Sequence, residues 1–310
     1  MHARAWWHDF AIEGAALRVR ATGVRVPLSH AVLGDFAQWT PYFLALKVLE
    51  QQVVRDGPRI AFAPHVPRPW FLIWPAVRLS GLRPSPSRHE ADILFHFEDA
   101  THGERPHGWT GPGINLDCTD ISKSHVARMF ESVFGRTLAI DPQTHAGSYV
   151  DKSETNAAHD GQVKTGPAAR MPGRCYQRLI DTVAPDGMVE DLRCATVGGQ
   201  IAAVFVKRRP AARRFENHNA EVRLTTPEAV FSADERARIA AFCTALRLDW
   251  GGLDVLRDRT SGEIWIVDAN KTDMGPPVSL TLDAKLSATR HIAVHLRRHC
   301  ETLLEASRAA

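Results

Sequence analysis

Apolar residues along the chain follow two periods, and the elements they predict alternate. Helical spacing joins Phe43, Leu44, Val48 and Val54 over 41–55, where Asp56-Gly57-Pro58 stops it. A second apolar helix is predicted over 70–82, ending at a glycine. Val126, Met129, Phe130 and Val133 fall at i, i+3, i+4 and i+7, with Gly135 just past the end. Ser232 and Glu235 form a capping-box pattern ahead of Ile239, Phe242, Cys243 and Leu246. A long terminal helix is expected over 283–306. Between these helices lie β-rich runs at 59–66, 92–100, 148–153 and 175–180. Two hairpins follow, one turning at Gly198-Gly199 and one at "RTSG" between "GGLDVLRD" and "GEIWIVDAN".

This order is that of a mixed α/β (α+β) protein. Residues 1–57, with Trp6, Trp7, Phe10, Phe36 and Trp39, read as a helical N-terminal extension. Residues 58–119 read as a small α/β domain, closed by the Gly/Pro/His-rich linker 101–113. Residues 120–310 form the main domain. A chain of 310 residues has room for such a division.

Composition then removes some function classes. Lys and Arg number 38 against 35 Asp and Glu, a net charge of +3 without a basic block, so no nucleic-acid partner is expected. The longest apolar stretch, 69–77, is broken by prolines and too short for a bilayer, so no membrane partner is expected either. The N-terminus lacks a long apolar signal region. Cys118, Cys175, Cys194, Cys243 and Cys300 show no CxxC spacing and read as reduced thiols, which with the rest points to the cytoplasm.

Candidate chemistry concentrates in the second hairpin. Asp254 and Asp268 stand 14 residues apart, as two antiparallel strands with a short turn require. Asp268 and Asn270 share a strand face. Singly each reads as a strand or turn residue. Together they offer the hard oxygen ligands that Mg²⁺ prefers, and two buried carboxylates without partners would be costly unless a cation joined them. His291, His295 and His299 share a drifting helical face, but the acid of a zinc helix is absent and a basic face is the better reading.

The stretch "LDWGGLDVLRDRTSGEIWIVDANKTDMGPP" resembles the metal-binding hairpin of the ATP-grasp superfamily. "YQRLI…VEDLRCATVGGQIAAVFVKRR" resembles that family's adenine hinge and central hairpin, particularly in ligases that add amino acids. The resemblance covers about 120–277 and implies an ATP-grasp fold whose two subdomains meet at a hinge near 177–181. It implies ATP and one or two Mg²⁺ ions as cofactors, the metal held by Asp254, Asp268 and Asn270. Lys123 and Lys152 resemble the family's phosphate-contacting lysines. Gln177, Arg178, Leu179 and Ile180 match the hinge, with the backbone of Arg178 and Ile180 meeting adenine, and Asp191 matches the ribose-binding acid. One of Lys207, Arg208 and Arg209 would stabilise the transferring phosphoryl. Arg213, Arg214, Asn217 and Lys271 are candidate substrate contacts.

Three departures stand out. The loop "ETNAAHDGQ" has a single glycine where the family's phosphate loop is glycine-rich, leaving His159 as a phosphate contact or an ordinary loop residue. Asp268 replaces the usual Glu, and "KTDMGPP" follows Asn270 in place of a Pro-Gly turn. The implied function is an ATP- and Mg²⁺-dependent ligase that joins a carboxylate to an amine through an acylphosphate, on small-molecule or peptide substrates. A kinase on the same fold and a non-catalytic nucleotide-binding protein are the alternatives. The aromatic N-terminal extension could cover the site, pack as core or mediate a homodimer.

Overall fold

The computed structural model describes residues 8, 10–20, 25–156, 158, 160–216 and 219–309. The fold is mixed α/β, with four sheets among these residues. Three short antiparallel strands open the chain: β1 (Phe10–Glu13), β2 (Ala16–Val19) and β3 (Arg25–Pro27). Only helix was expected in this N-terminal stretch, and Trp6 and Trp7 lie outside the described residues. Helix α1 (His30–Glu50) begins eleven residues before the expected start, because the Ser29 hydroxyl caps it by accepting from the Val32 N–H at 3.3 Å. Pro41, where the helix was expected to start, lies inside it.

The small α/β unit is a four-stranded parallel sheet in the order β5-β4-β6-β7, formed by β4 (Arg59–Pro64), β5 (Arg83–Pro84), β6 (Ile93–Phe97) and β7 (Gly113–Ile114). Every residue of β6 is buried, as a parallel strand covered on both faces requires. The expected 70–82 helix contracts to α2 (Ile73–Leu79). The linker keeps little regular structure beyond β7, as its glycines and prolines suggested.

Next come α3 (Lys123–Phe134), β8 (Ser148–Ser153), β9 (Gln162–Thr165) and β10 (Arg174–Arg178), the strands pairing as β10-β8-β9. The largest sheet is antiparallel in the order β13-β12-β11-β14-β15, from β11 (Met188–Val197), β12 (Gln200–Pro210), β13 (Glu221–Thr225), β14 (Trp250–Arg257) and β15 (Ile264–Asn270). Gly198 and Gly199 both take positive φ, 56° and 75°, as a two-residue hairpin of this twist demands. Strand β13, which the apolar pattern does not mark, pairs with β12 at the sheet edge. A short helix, α4 (Pro227–Val230), leads into α5 (Ala233–Leu246), which carries the expected capping box. Helix α6 (Leu282–Ala309) closes the chain.

Strand alternation gives the large sheet two buried sides. One packs Leu192, Val204, Val206, Leu253, Val255 and Ile266 against α3 and α5. Part of the other packs Ala195, Val197, Ala203 and Trp250 against α6 and the parallel sheet. The rest of that second side is left open, and there the charged residues gather. Phe130 anchors the first core: fully buried, it stacks on Phe134 at 4.5 Å and on Trp265 at 5.3 Å between ring centroids. Replacing it by alanine should cost about 3–5 kcal/mol. Chemical denaturation should show a lower midpoint with an unchanged slope, and a loss under about 1 kcal/mol would contradict this packing.

Candidate active site

Pairing in the large sheet sets four side chains in a row across four strands. Phe205 on β12 is opposite Arg193 on β11, Arg193 is opposite Asp254 on β14, and Asp254 is opposite Asp268 on β15. This row lines a cleft of about 450 Å³ together with Asp191, Lys207, Arg209 and Asn270. The facing wall comes from the β10-β8-β9 sheet and the stretch after it, with Val150, Lys152, Gln177, Leu179, Ile180 and Thr182. Lys123 enters from the first turn of α3.

A β-bulge joins the two walls. The register shifts after Asp254, so that Val255 pairs with Ile266 and Val267 is left over. Its carbonyl, free of the ladder, accepts from Lys152 Nζ at 2.9 Å and from Gln177 Nε2 at 3.4 Å. These two bonds tie the small sheet to the large one.

The two carboxylates have partners, contrary to the sequence argument that a cation was needed to justify their burial. Arg193 Nη1 stands 3.0 Å from Asp254 Oδ1, and its Nη2 donates to Asp273 Oδ1 at 2.7 Å. Lys123 Nζ is 3.9 Å from Asp268 Oδ1 and donates to the Thr155 carbonyl at 3.2 Å. Burial by itself raises the Asp254 pKa, but Arg193 and then Lys207 outweigh it and hold the carboxyl at about 2. Burial lowers the pKa of Lys207 against the pull of Asp254, and that of Lys152 against the pull of Asp268. Arg193 goes the other way: Asp254 and Asp273 together overcome its desolvation and raise it.

The donor set fits a hard divalent cation. Asp254 and Asp268 are cross-strand neighbours, and Asn270 follows on the Asp268 face, as the sequence suggested. Among the described residues no three His, Cys, Asp or Glu side chains converge as a metal site, so an ion here would draw further ligands from phosphate and water. Asn270 Oδ1 already accepts from the Thr272 N–H at 2.9 Å and lies 3.1 Å from its hydroxyl, which orients the amide.

Other candidates divide. Lys207 and Arg209 line the cleft, but Arg208 points to the opposite face and pairs with Asp186 and Glu221. Arg209 bonds both Asp191 and the Glu216 carbonyl, so the acid matched to ribose binding is engaged by an arginine. The Arg178 N–H, matched to adenine, donates to the Leu138 carbonyl at 2.8 Å and so is already engaged within the protein. Arg214 lines the cleft, and burial lowers its pKa despite Asp181. Arg213 is exposed and does not line the cleft, while Lys271 is buried behind it. His159 and Asn217 lie outside the described residues. Sequence reading missed Arg193 and Asp273. The signal for Arg193 was one charge inside the apolar run "DLRCATV", at a position whose neighbours across two strands could not be read. Gly252 makes room for the pair, since a Cβ there would collide with Asp273 and stand 2.6 Å from Arg193 Nε.

Among solved structures the fold is similar to that of ATP-grasp ligases. The ligase PsnB complexed with a minimal precursor is 10% identical at a TM-score of 0.49, covering 78% of this chain and 99% of its own. D-alanine–D-alanine ligase from Bacillus anthracis is 11% identical at a TM-score of 0.48, over 81% of this chain and 99% of its own. A RimK domain ATP-grasp protein from Sphaerobacter thermophilus DSM 20745 is 12% identical at 0.47, over 78% and 99%. No protein-family model and no curated protein matches the sequence. Likeness at these identities and scores bears on neither substrate nor reaction.

Two predictions follow from the charge row. A depressed carboxyl contributes stability above its unfolded pKa near 3.8 and loses it as pH falls through the folded value of about 2. Stability measured from pH 5 to pH 2 should therefore drop more steeply in the natural protein than in Asp254→Asn. Parallel curves would show that Asp254 titrates normally. Arg193→Met leaves Asp254 and Asp273 without their shared cation and should cost about 3–5 kcal/mol in denaturant unfolding at pH 7.

Proposed function

We propose that this protein is an ATP- and Mg²⁺-dependent ligase that joins a carboxylate to an amine through an acylphosphate. The observation that carries this reading is the pairing of Asp254 with Asp268 beside Lys123 and Lys152, all on one cleft. Two acids for a cation and two lysines for phosphate oxygens are what a triphosphate needs in order to be held and neutralised. A cleft of about 450 Å³ falls within the usual range for ligand pockets, and its facing wall supplies apolar Val150, Leu179 and Ile180 for a base.

In this mechanism Asp254, Asp268 and Asn270 would hold Mg²⁺, which would supply charge neutralisation to the nucleotide phosphates. Lys152, fixed by the Val267 carbonyl, and Lys123, fixed by the Thr155 carbonyl, bind phosphate oxygens from opposite walls. The substrate carboxylate attacks the γ-phosphorus and releases ADP, while Lys207 or Arg209 neutralises charge on the transferring group. An amine then attacks the acyl carbon, and phosphate leaves with the bonding electron pair as the amine gives up a proton. Positioning and electrostatics carry the reaction, so no side-chain nucleophile is required. Arg193 acts on Asp254 and sets its orientation.

The test is thermal unfolding with ATP, ADP and GTP, each with and without Mg²⁺. At a hundred times its dissociation constant, bound ATP should add about 2.7 kcal/mol, and the gain should require Mg²⁺. In Asp254→Asn and Asp268→Asn the Mg²⁺-dependent part should vanish. Absence of any nucleotide effect on the natural protein would overturn the reading. ATP binding without ADP release across carboxylate and amine mixtures would favour a non-catalytic nucleotide-binding protein.

A further inference from the structure

Helix α1 is apolar on two opposite sides, and the body of the protein covers one of them. Only three of its 21 residues are charged: Asp35, Lys47 and Glu50. At about 100° per residue Tyr42 and Leu46 share the inner side, each 1% exposed, and Tyr42 is bonded to Thr289 of α6. The reverse side carries Leu33, Phe36, Leu44 and Val48, which are between 52% and 59% exposed. With Ala37, Thr40 and Pro41, exposed as well, they form one stripe about 120° wide and about 22 Å long.

This stripe presents little that is polar. Thr40 Oγ1 donates to the Phe36 carbonyl at 2.7 Å, within the helix. Lys47, on the border, is turned aside, with Nζ 5.2 Å from the centre of the Trp74 ring and 3.6 Å from Glu50 Oε2. A helix apolar all round is ordinarily buried, and a continuous exposed stripe of large side chains marks a contact surface. The spacing of the residues selects what lies on it. About a centre between Thr40 and Pro41, Leu33 mirrors Val48, Ala37 mirrors Leu44, and Phe36 falls opposite the small Ala45. A second copy laid antiparallel across a twofold axis sets each residue against its mirror, so that Leu44 and Phe36 meet the gaps left by alanines. Twofold contact demands this self-complementarity, because residue i meets j and j meets i. A membrane surface fits less well: an interfacial helix carries Lys and Arg along its other face, and here that face is Tyr42 and Leu46 in the core. A charged partner finds no counter-charge on the stripe.

We propose that α1 is a homodimer interface, in which two copies pack their stripes antiparallel about Thr40 and Pro41. No residue of the stripe lines the cleft, so the dimer forms with or without nucleotide and does not rest on the ligase reading.

The test is sedimentation velocity of the full chain over a micromolar concentration series, where a dimer is expected. Leu44→Glu and Ala37→Lys, each at an exposed position, should singly raise its dissociation constant at least tenfold, because each buries an unpaired charge. The double variant should recover most of that loss, since the introduced acid of one copy then meets the introduced amine of the other. Within one copy the two positions are two turns apart and do not pair. Circular dichroism should show the natural helix content in each variant, with Leu44→Ser as the milder change if Leu44→Glu does not fold. A monomer at every concentration, or a dimer unchanged by both single substitutions, would overturn the interface. Failure of the double variant to recover would overturn the antiparallel register. A monomer that sediments with phosphatidylcholine–phosphatidylserine vesicles would overturn the dimer and assign the stripe to a membrane.

Discussion

Two carboxylates on adjacent strands, directly opposite one another, repel. Asp254 and Asp268 are so placed, and much of the surrounding structure is arranged to make that tolerable. Arg193 reaches Asp254 from the neighbouring strand, Lys207 adds charge from the strand beyond, and Lys123 approaches Asp268 from a helix start. Arg193 and Lys123 are themselves buried, and each is held by a second group: Asp273 for Arg193, the Thr155 carbonyl for Lys123. The cluster is a lattice of alternating charge, and removing one member strands the rest. That is why Arg193 matters to stability as well as to the geometry of the site.

The bulge at Val267 extends this lattice to the other wall. The Val267 carbonyl, at the bulge of this edge strand, takes Lys152 and Gln177 from the small sheet. Two side chains of one wall are thus tied to one backbone atom of the other. A lysine so tethered, with its pKa lowered by burial, would bind the proposed nucleotide's phosphate at little further entropic cost.

Helix α6 provides the frame behind the sheet. Its buried side meets the large sheet and α2, and Lys285 Nζ donates to the Gln38 carbonyl at 3.2 Å, drawing α1 onto the same core. A buried hydrogen bond of 2.7 Å between Tyr42 and Thr289 fastens the two helices. The described part of the N-terminal extension is therefore packed on the main body through α1, away from the residues that line the cleft.

The sequence by itself determined the elements with strong periodicity or caps: α3, α5, the Gly198-Gly199 hairpin and the strands bearing Asp254 and Asp268. Local rules decide these, since helix spacing, a Ser232–Glu235 box and a glycine turn act within a few residues. It also determined that Asp268 and Asn270 share a strand face, because alternation is local. It missed β1–β3 and β13, whose short strands have little pattern, and it started α1 late because the capping serine lies before an apolar stretch of weak amphipathy. Only the tertiary structure decided that Arg193 neighbours Asp254, that Arg208 faces away while Lys207 and Arg209 face in, and that Lys271 is buried. Those outcomes depend on strand register and on contacts between residues far apart in the sequence, for which no short-range pattern exists.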